Sequence, residues 1–123
     1  MRPEWDLAVS VEAEVLHNGT PQQGLEVLRI YLDQYPDAKE VRLQYARMLL
    51  DQKQYEWARD QFQILADENP ENPEMAYTIG LISLQLNDLS RSEAQFQQSL
   101  EKGKKDRDTV QYYLGKLGEA KKN

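Results

Sequence analysis

The chain has no cysteine and one histidine, and these two scarcities remove most catalytic chemistry before any pattern is read. Without a thiol there is no disulfide and no thiolate nucleophile. The lack says little about compartment, because proteins with a sizeable core dispense with disulfides in either redox setting. His17 alone leaves almost no material for a nucleophile–base pair, and no further ligands are spaced for a histidine-based metal site. No run of 18 apolar residues occurs, so no segment reads as a membrane-spanning helix. Met1-Arg2-Pro3-Glu4-Trp5 lacks the apolar stretch of a secretory signal. Basic residues are outnumbered 15 to 21, for a formal charge of −6. Nucleic acid, whose binding needs clustered Lys and Arg, is therefore disfavoured as a partner.

What is present is a period. Gly24 and Leu28 are followed by Ala58 and Phe62, then by Ser92 and Phe96, each pair 34 residues after the last. Ala46 and Gly80, Pro36 and Pro70, and the apolar series Val11, Tyr45, Ile79, Tyr113 share the step. A fixed period of this length marks stacked copies of one supersecondary unit, none able to bury its apolar side alone. With 40% hydrophobic and 29% charged residues over 123 positions, the composition suits one ordered domain.

The spacing predicts seven helices, roughly 5–17, 21–34, 38–51, 55–68, 73–86, 89–101 and 108–121. Apolar residues from Val41 to Leu50 surround their helix, so it should be sandwiched between neighbours. From Tyr55 to Ala66 they leave Asp60, Gln61 and Gln63 for solvent, the pattern of an outer helix. Thr20-Pro21-Gln22-Gln23 reads as an N-cap, a first-turn proline and a capping-box glutamine. Pro36, Pro70 and Pro73 mark helix ends and starts. Within each pair of helices the small residue allows close approach, and the large one a turn later fills the gap to the next unit.

The pattern resembles the tetratricopeptide repeat (TPR), two antiparallel helices in 34 residues. The copy at 39–72 carries the family's marks as Tyr45-Ala46, Leu49, Ala58, Phe62 and Pro70, and the copy at 73–107 as Ile79-Gly80, Ser92 and Phe96, with Lys104 at the proline position. The copy at 5–38 has Val11-Glu12, Val15, Gly24, Leu28 and Pro36, with Glu12 where a small residue is usual. Tyr112-Tyr113-Leu114-Gly115 opens a fourth copy, shifted by one residue, which stops after helix 108–121. The third copy, followed by the fourth, is also similar to segments of long bacterial multi-repeat TPR proteins, some of them envelope adaptors.

The resemblance implies an all-α, right-handed α-solenoid with residues 1–123 as one domain, and a non-catalytic scaffold that holds a protein segment in a concave groove. By family register the groove would be lined by Val9, Ala13 and Leu16, then Leu43, Arg47 and Leu50, then Tyr77, Leu81 and Leu84, then Tyr112 and Lys116. Such a wall suits an extended or helical peptide with apolar anchors and an acidic group for Arg47 or Lys116. The family's carboxylate clamp for chaperone tails is missing: its places hold Val9, Ala13, Gln44, Glu74 and Thr78. The alternative is a self-associating or spacer segment of a larger assembly, with a homodimer through the C-terminal helix. Tyr112, Tyr113, Leu114 and Leu117 follow the pattern of an array that continues past Asn123. The compartment would be cytoplasmic if Met1 is the natural start and the envelope if the chain is part of a longer protein. No cofactor, metal site or direct membrane insertion is expected. His17 reads as a turn residue, the acidic run Asp67–Glu74 as a solvated connector lacking a calcium loop's alternation, and Asn18-Gly19-Thr20 as a turn rather than a glycosylation site. Glu12 and Glu14 diverge on a helix and form no acid–base pair.

Overall fold

The computed structural model describes residues 2–122. Met1 and Asn123, on which the readings of the chain's start and continuation rest, lie outside them. The described residues form seven helices and no strand: α1 Pro3–Gly19, α2 Pro21–Gln34, α3 Lys39–Asp51, α4 Tyr55–Glu68, α5 Pro73–Gln85, α6 Leu89–Glu101 and α7 Arg107–Lys122. Each end falls within two residues of its expected place. The chain divides into two compact units, Met1–Gln61 and Phe62–Asn123, with the division inside α4.

Local chemistry accounts for the ends. Prolines occupy the first turn of α1, α2 and α5, where a missing amide costs nothing. Asn72 accepts a hydrogen bond from the Glu74 amide at 2.9 Å and so caps α5. Three helices finish in the same left-handed turn. At the end of α3 the Gln54 amide reaches Leu49 O and the Lys53 amide reaches Leu50 O, both at 2.9 Å. Asp88 and Asn87 repeat this on Ser83 and Leu84, and Lys104 and Gly103 repeat it on Ser99 and Leu100. The residue in the left-handed position is Lys53, Asn87 or Gly103, each with positive φ.

The junction of α1 and α2 is different. Thr20 alone joins them, its amide bonded to Leu16 O. The expected capping box does not form: the Thr20 hydroxyl lies against Leu16 O and the Gln23 side chain and makes no bond to an α2 amide. The hydroxyl is 3.0 Å from Gln23 Oε1 of α2 and 3.4 Å from Leu16 O of α1, so it is shared between the helix it closes and the one it opens. His17, expected in a turn, sits in the last turn of α1.

This short link sets the register of α1. In unit 2 the Ser92 hydroxyl donates to Gly80 O at 2.8 Å, a separation of twelve in sequence that would place Glu12 against Gly24. Instead a Cβ on Gly24 would lie 2.9 Å from Ala13 O and 3.1 Å from His17 N. Ala13 takes the small-residue place, and α1 is turned by one position, about 100°. Val11 and Val15, marks of the first copy, are consequently 55% and 69% exposed.

In unit 1, α1 and α2 pack on a core that includes Val9, Ala13, Leu25, Leu28 and Leu32, continued by Val41, Tyr45, Ala46, Met48 and Leu49 of α3. α3 is buried on several sides, as its pattern requires. In unit 2 the fully buried Phe96 centres a cluster with Val110 and Leu117, covered by Tyr77, Leu81, Leu84, Tyr113 and Leu114. Gly80 is needed there, since a Cβ would stand 2.8 Å from the Phe96 ring. Two apolar residues of α4, Trp57 and Ile64, face outward instead of joining the core. At the other end Tyr113, Leu114 and Leu117 are already packed in the Phe96 cluster, which leaves Tyr112 as the exposed large apolar side chain of α7.

Candidate binding faces

In unit 1 the candidate face is built on α3. Leu43 and Leu50 are half-buried and Arg47 is exposed, one turn apart along the helix. From α1, Leu16 is half-buried, but Val9 and Ala13 turn inward, 9% and 0% exposed, and have little surface to offer. The rotation of α1 brings Ser10, Glu14 and His17 to α3 in their stead. Gln44 Nε2 donates to Ser10 O at 2.9 Å and to Glu14 Oε1 at 3.2 Å. His17 Nε2 lies 3.4 Å from Asp51. A cleft of about 420 Å³ there is lined by Glu14, His17, Glu40, Leu43, Arg47 and Asp51, among others. This face is polar, with more carboxylates than cations.

In unit 2 the candidate face lies on α5 and α7. Tyr77, Leu81 and Leu84 are half-buried, supported from beneath by the Phe96 cluster. The rings form a run: Tyr77 to Phe96 with centroids 5.8 Å apart, then Phe96 stacked on Tyr113 at 5.2 Å. Tyr112 continues it edge-on to Tyr113 at 5.9 Å. Burial, with the Tyr113 hydroxyl as a lesser cause, pushes the Tyr77 phenol above its ordinary value and keeps it neutral. Lys116 stands 5.6 Å over the Tyr112 ring and pairs with Glu119 at 3.7 Å.

Lys104 lies outside the set that the family register assigns to the groove. It is only 7% exposed, 4.8 Å over the Tyr77 ring, with Glu74 at 3.4 Å and Asp106 at 3.6 Å. Its place at the family's proline position was the available signal. The signal for Ser10, Glu14 and His17 was Ala13, the small residue beside the unsuitable Glu12.

Another cleft of unit 1, of about 490 Å³, opens beside Trp57, Leu32 and Tyr45. Its cations already serve the fold: Arg29 is paired with Glu26 and with Asp33, and Arg42 donates to Gln61 and Pro36 O. Among the described residues no group of His, Asp and Glu is placed to hold a metal ion, and no helix is long and apolar enough to cross a membrane.

Antiparallel helix pairs, small-residue contacts at 34-residue spacing and faces made by the first helix of each pair define a helical-repeat protein. Tetratricopeptide repeat models match residues 15–77 and 54–107. The chain belongs to the tetratricopeptide repeat family. No curated protein matches the sequence. Among solved structures it is similar to SycD, a type III secretion translocator chaperone of Yersinia enterocolitica: 14% identity, TM-score 0.80, 100% of this chain and 90% of that chain. The same chaperone in complex with a peptide of the translocator YopD matches at TM-score 0.76 and 14% identity over 93% and 92% of the two chains. The first TPR of Spaghetti (RPAP3), bound to the HSP90 peptide SRMEEVD, matches at TM-score 0.75 and 13% identity over 96% and 94%. Identities this low speak to fold alone.

Proposed function

We propose that the chain is a non-catalytic interaction module that holds a protein segment on the concave side of its first-of-pair helices. The observation that carries this reading is the shelf of Tyr77, Leu81 and Leu84, half-buried over a packed aromatic core. A rigid, partly open apolar surface of this kind accepts side-chain anchors without collapsing to meet them. Tyr112 and Lys116 extend it, and Lys116 is placed to meet an acidic group of the ligand. On the unit 1 face, Leu43, Leu50 and Leu16 contribute apolar area around Arg47. The surrounding Glu14, Glu40 and Asp51 favour a basic flank on the ligand.

Structures of the same fold with a translocator peptide and with a chaperone peptide support the general role. The chaperone-tail mode is not the one proposed. Gln44, Glu74 and Thr78 do not supply the clamp, and neither Val9 and Ala13 nor the Ser10 and Glu14 that replace them on the surface supplies its lysine and asparagine.

The test is a panel of fluorescent amphipathic peptides with Leu or Phe at helical spacing and varied terminal charge, titrated by anisotropy. At least one member is expected to bind, to weaken about tenfold or more with Leu81→Gln, and to be unaffected by Ile30→Gln. Absence of binding across the panel, or indifference to Leu81→Gln in a variant of unchanged circular dichroism, removes this face.

A further inference from the structure

We propose that the cleft of about 490 Å³ formed by α2, α3 and the start of α4 docks a proline-rich segment of another protein, in the polyproline II conformation and bordered by lysine or arginine. The cleft lies wholly within unit 1. Its α3 residues, Arg42 and Tyr45, are on the far side of that helix from Leu43, Arg47 and Leu50, roughly 140° away round the axis. The cleft shares no residue with either candidate face described above.

The occupant follows from which polar atoms are already engaged. Arg29 donates to Glu26 and Asp33, so that cation and those carboxylates satisfy one another. Arg42, 9% exposed, donates to Gln61 Oε1 at 2.6 Å and to Pro36 O at 2.9 Å, which engages the acceptors of the floor. What stays free is a pair of donors. Tyr45 is 8% exposed and lines the cleft, yet its hydroxyl makes no hydrogen bond among the described residues and is not shut in. Burial pushes the phenol above its ordinary value and keeps the proton on the oxygen. Trp57, 62% exposed on the rim, carries an indole N–H that is likewise unbonded.

A site with free donors needs a ligand with free acceptors. A helical ligand brings none along its backbone, because its carbonyls are bonded along its own axis. An ordinary extended segment brings an amide donor with each carbonyl, for which the floor has no free acceptor. Proline removes the amide, and a polyproline II segment has no internal hydrogen bonds, so its carbonyls are available. Its rings suit the open Trp57 face, and Leu32 and Pro36 complete the apolar wall. The flank follows from charge. Glu56 and Asp60, one turn apart on α4 beside Trp57, have no ion-pair partner among the described residues. Counting Arg29, Arg42 and Lys53 against Glu26, Asp33, Glu56 and Asp60, the cleft and its rim carry one net negative charge. Lysine or arginine next to the prolines meets the two α4 carboxylates.

Fluorescence anisotropy with two labelled probes tests it: an oligoproline, and the same oligoproline ending in an arginine pair. Both are expected to bind, the arginine form about threefold tighter or more at low salt. Trp57→Ala should weaken both about tenfold or more. Tyr45→Phe, which removes one oxygen and keeps the ring, should weaken them about threefold to tenfold. Glu56→Gln/Asp60→Asn should abolish the difference between the probes. Circular dichroism checks that the helices are kept, and Trp57, Glu56 and Asp60 are exposed, so their variants stay readable if Tyr45→Phe unfolds. The proposal is overturned by absence of oligoproline binding, by binding that survives Trp57→Ala, or by a folded Tyr45→Phe that binds like the wild type. Equal binding of a glycine–serine peptide with the same arginines also overturns it, and an arginine preference that outlives the α4 double variant overturns the flank. The probes contain no Leu or Phe and the cleft contains no residue of the α5 shelf, so this outcome and that of the amphipathic panel are separable.

Discussion

Equivalent turns in the two units differ in one residue that decides their ease. Lys53 and Asn87 stand 34 positions apart and close their helices with the same pair of backbone hydrogen bonds at positive φ. Asparagine tolerates that conformation, and lysine adopts it at a cost of order 1–2 kcal/mol. The larger contrast lies in how apolar residues are used. Among the described residues unit 1 leaves Trp5, Leu7, Val11, Val15, Ile30 and Trp57 more than half exposed, whereas in unit 2 Tyr112 is 62% exposed and Ile64 37%. Where a three-residue turn joins a pair, as in α5–α6, the 34-residue column predicts which side chains are inside. Where Thr20 alone joins it, α1 rotates by one position and the column fails. The lesson is that a repeat's period describes its packing only while its connections keep the same length.

The largest effects should separate the core from the exposed aliphatics. Phe96→Ala should cost about 3–5 kcal/mol in urea unfolding, while Val15→Gln should stay within about 0.5 kcal/mol. A loss above about 1 kcal/mol for Val15→Gln would mean that unit 1 buries this side chain and the contrast is false. Next come the two close approaches. Gly24→Ala meets backbone of α1 and Gly80→Ala meets the enclosed Phe96 ring, so each should destabilise by about 1–3 kcal/mol. Neutral Gly24→Ala would place α1 in another register and restore the symmetry of the two units.

Smaller still is the turn comparison. Lys53→Gly should stabilise by up to about 1 kcal/mol, read as a rise in the urea midpoint, and Asn87→Gly by less. Equal effects would show that the two turns are energetically alike. Smallest is acid sensitivity at one end of unit 1. The Arg2 guanidinium bonded to Asp37 holds its carboxyl below the ordinary carboxylate range. A depressed carboxyl contributes stability above its unfolded value, and that contribution is lost as pH falls through the folded one. Arg2→Ala should therefore flatten the acid limb of the stability curve slightly, and an unchanged limb would show that the pair is solvent-screened.

Helix number, helix ends and the small-residue contacts were legible because they rest on local features. Proline, turn residues and a 3.6-residue apolar rhythm act over a few positions, and each has its cause within its own segment. Family register assigns Leu43, Tyr77, Leu81 and Leu84 to the groove wall, and in the structure they are half-buried on α3 and α5, which keep the standard turns. For α1 the same reasoning chose Val9 and Ala13 as surface residues and Val11 as core, and the structure reverses both. Lys104 was visible as a departure from the family's proline, but its seat over Tyr77 was not, because Glu74 and Asp106 come to it from different segments.

The amino-acid sequence by itself determined that this chain is seven helices in repeated pairs, because a recurring small residue and a large one a turn later admit one way of packing two helices. Only the tertiary structure decided which face of α1 meets α2, and hence which charges border α3 and which aliphatics meet solvent. The reason is physical: the rotation of a helix about its axis depends on how its connection and its neighbour's backbone fit together. Within α1 itself, Ala13 beside Glu12 is the one trace of that fit.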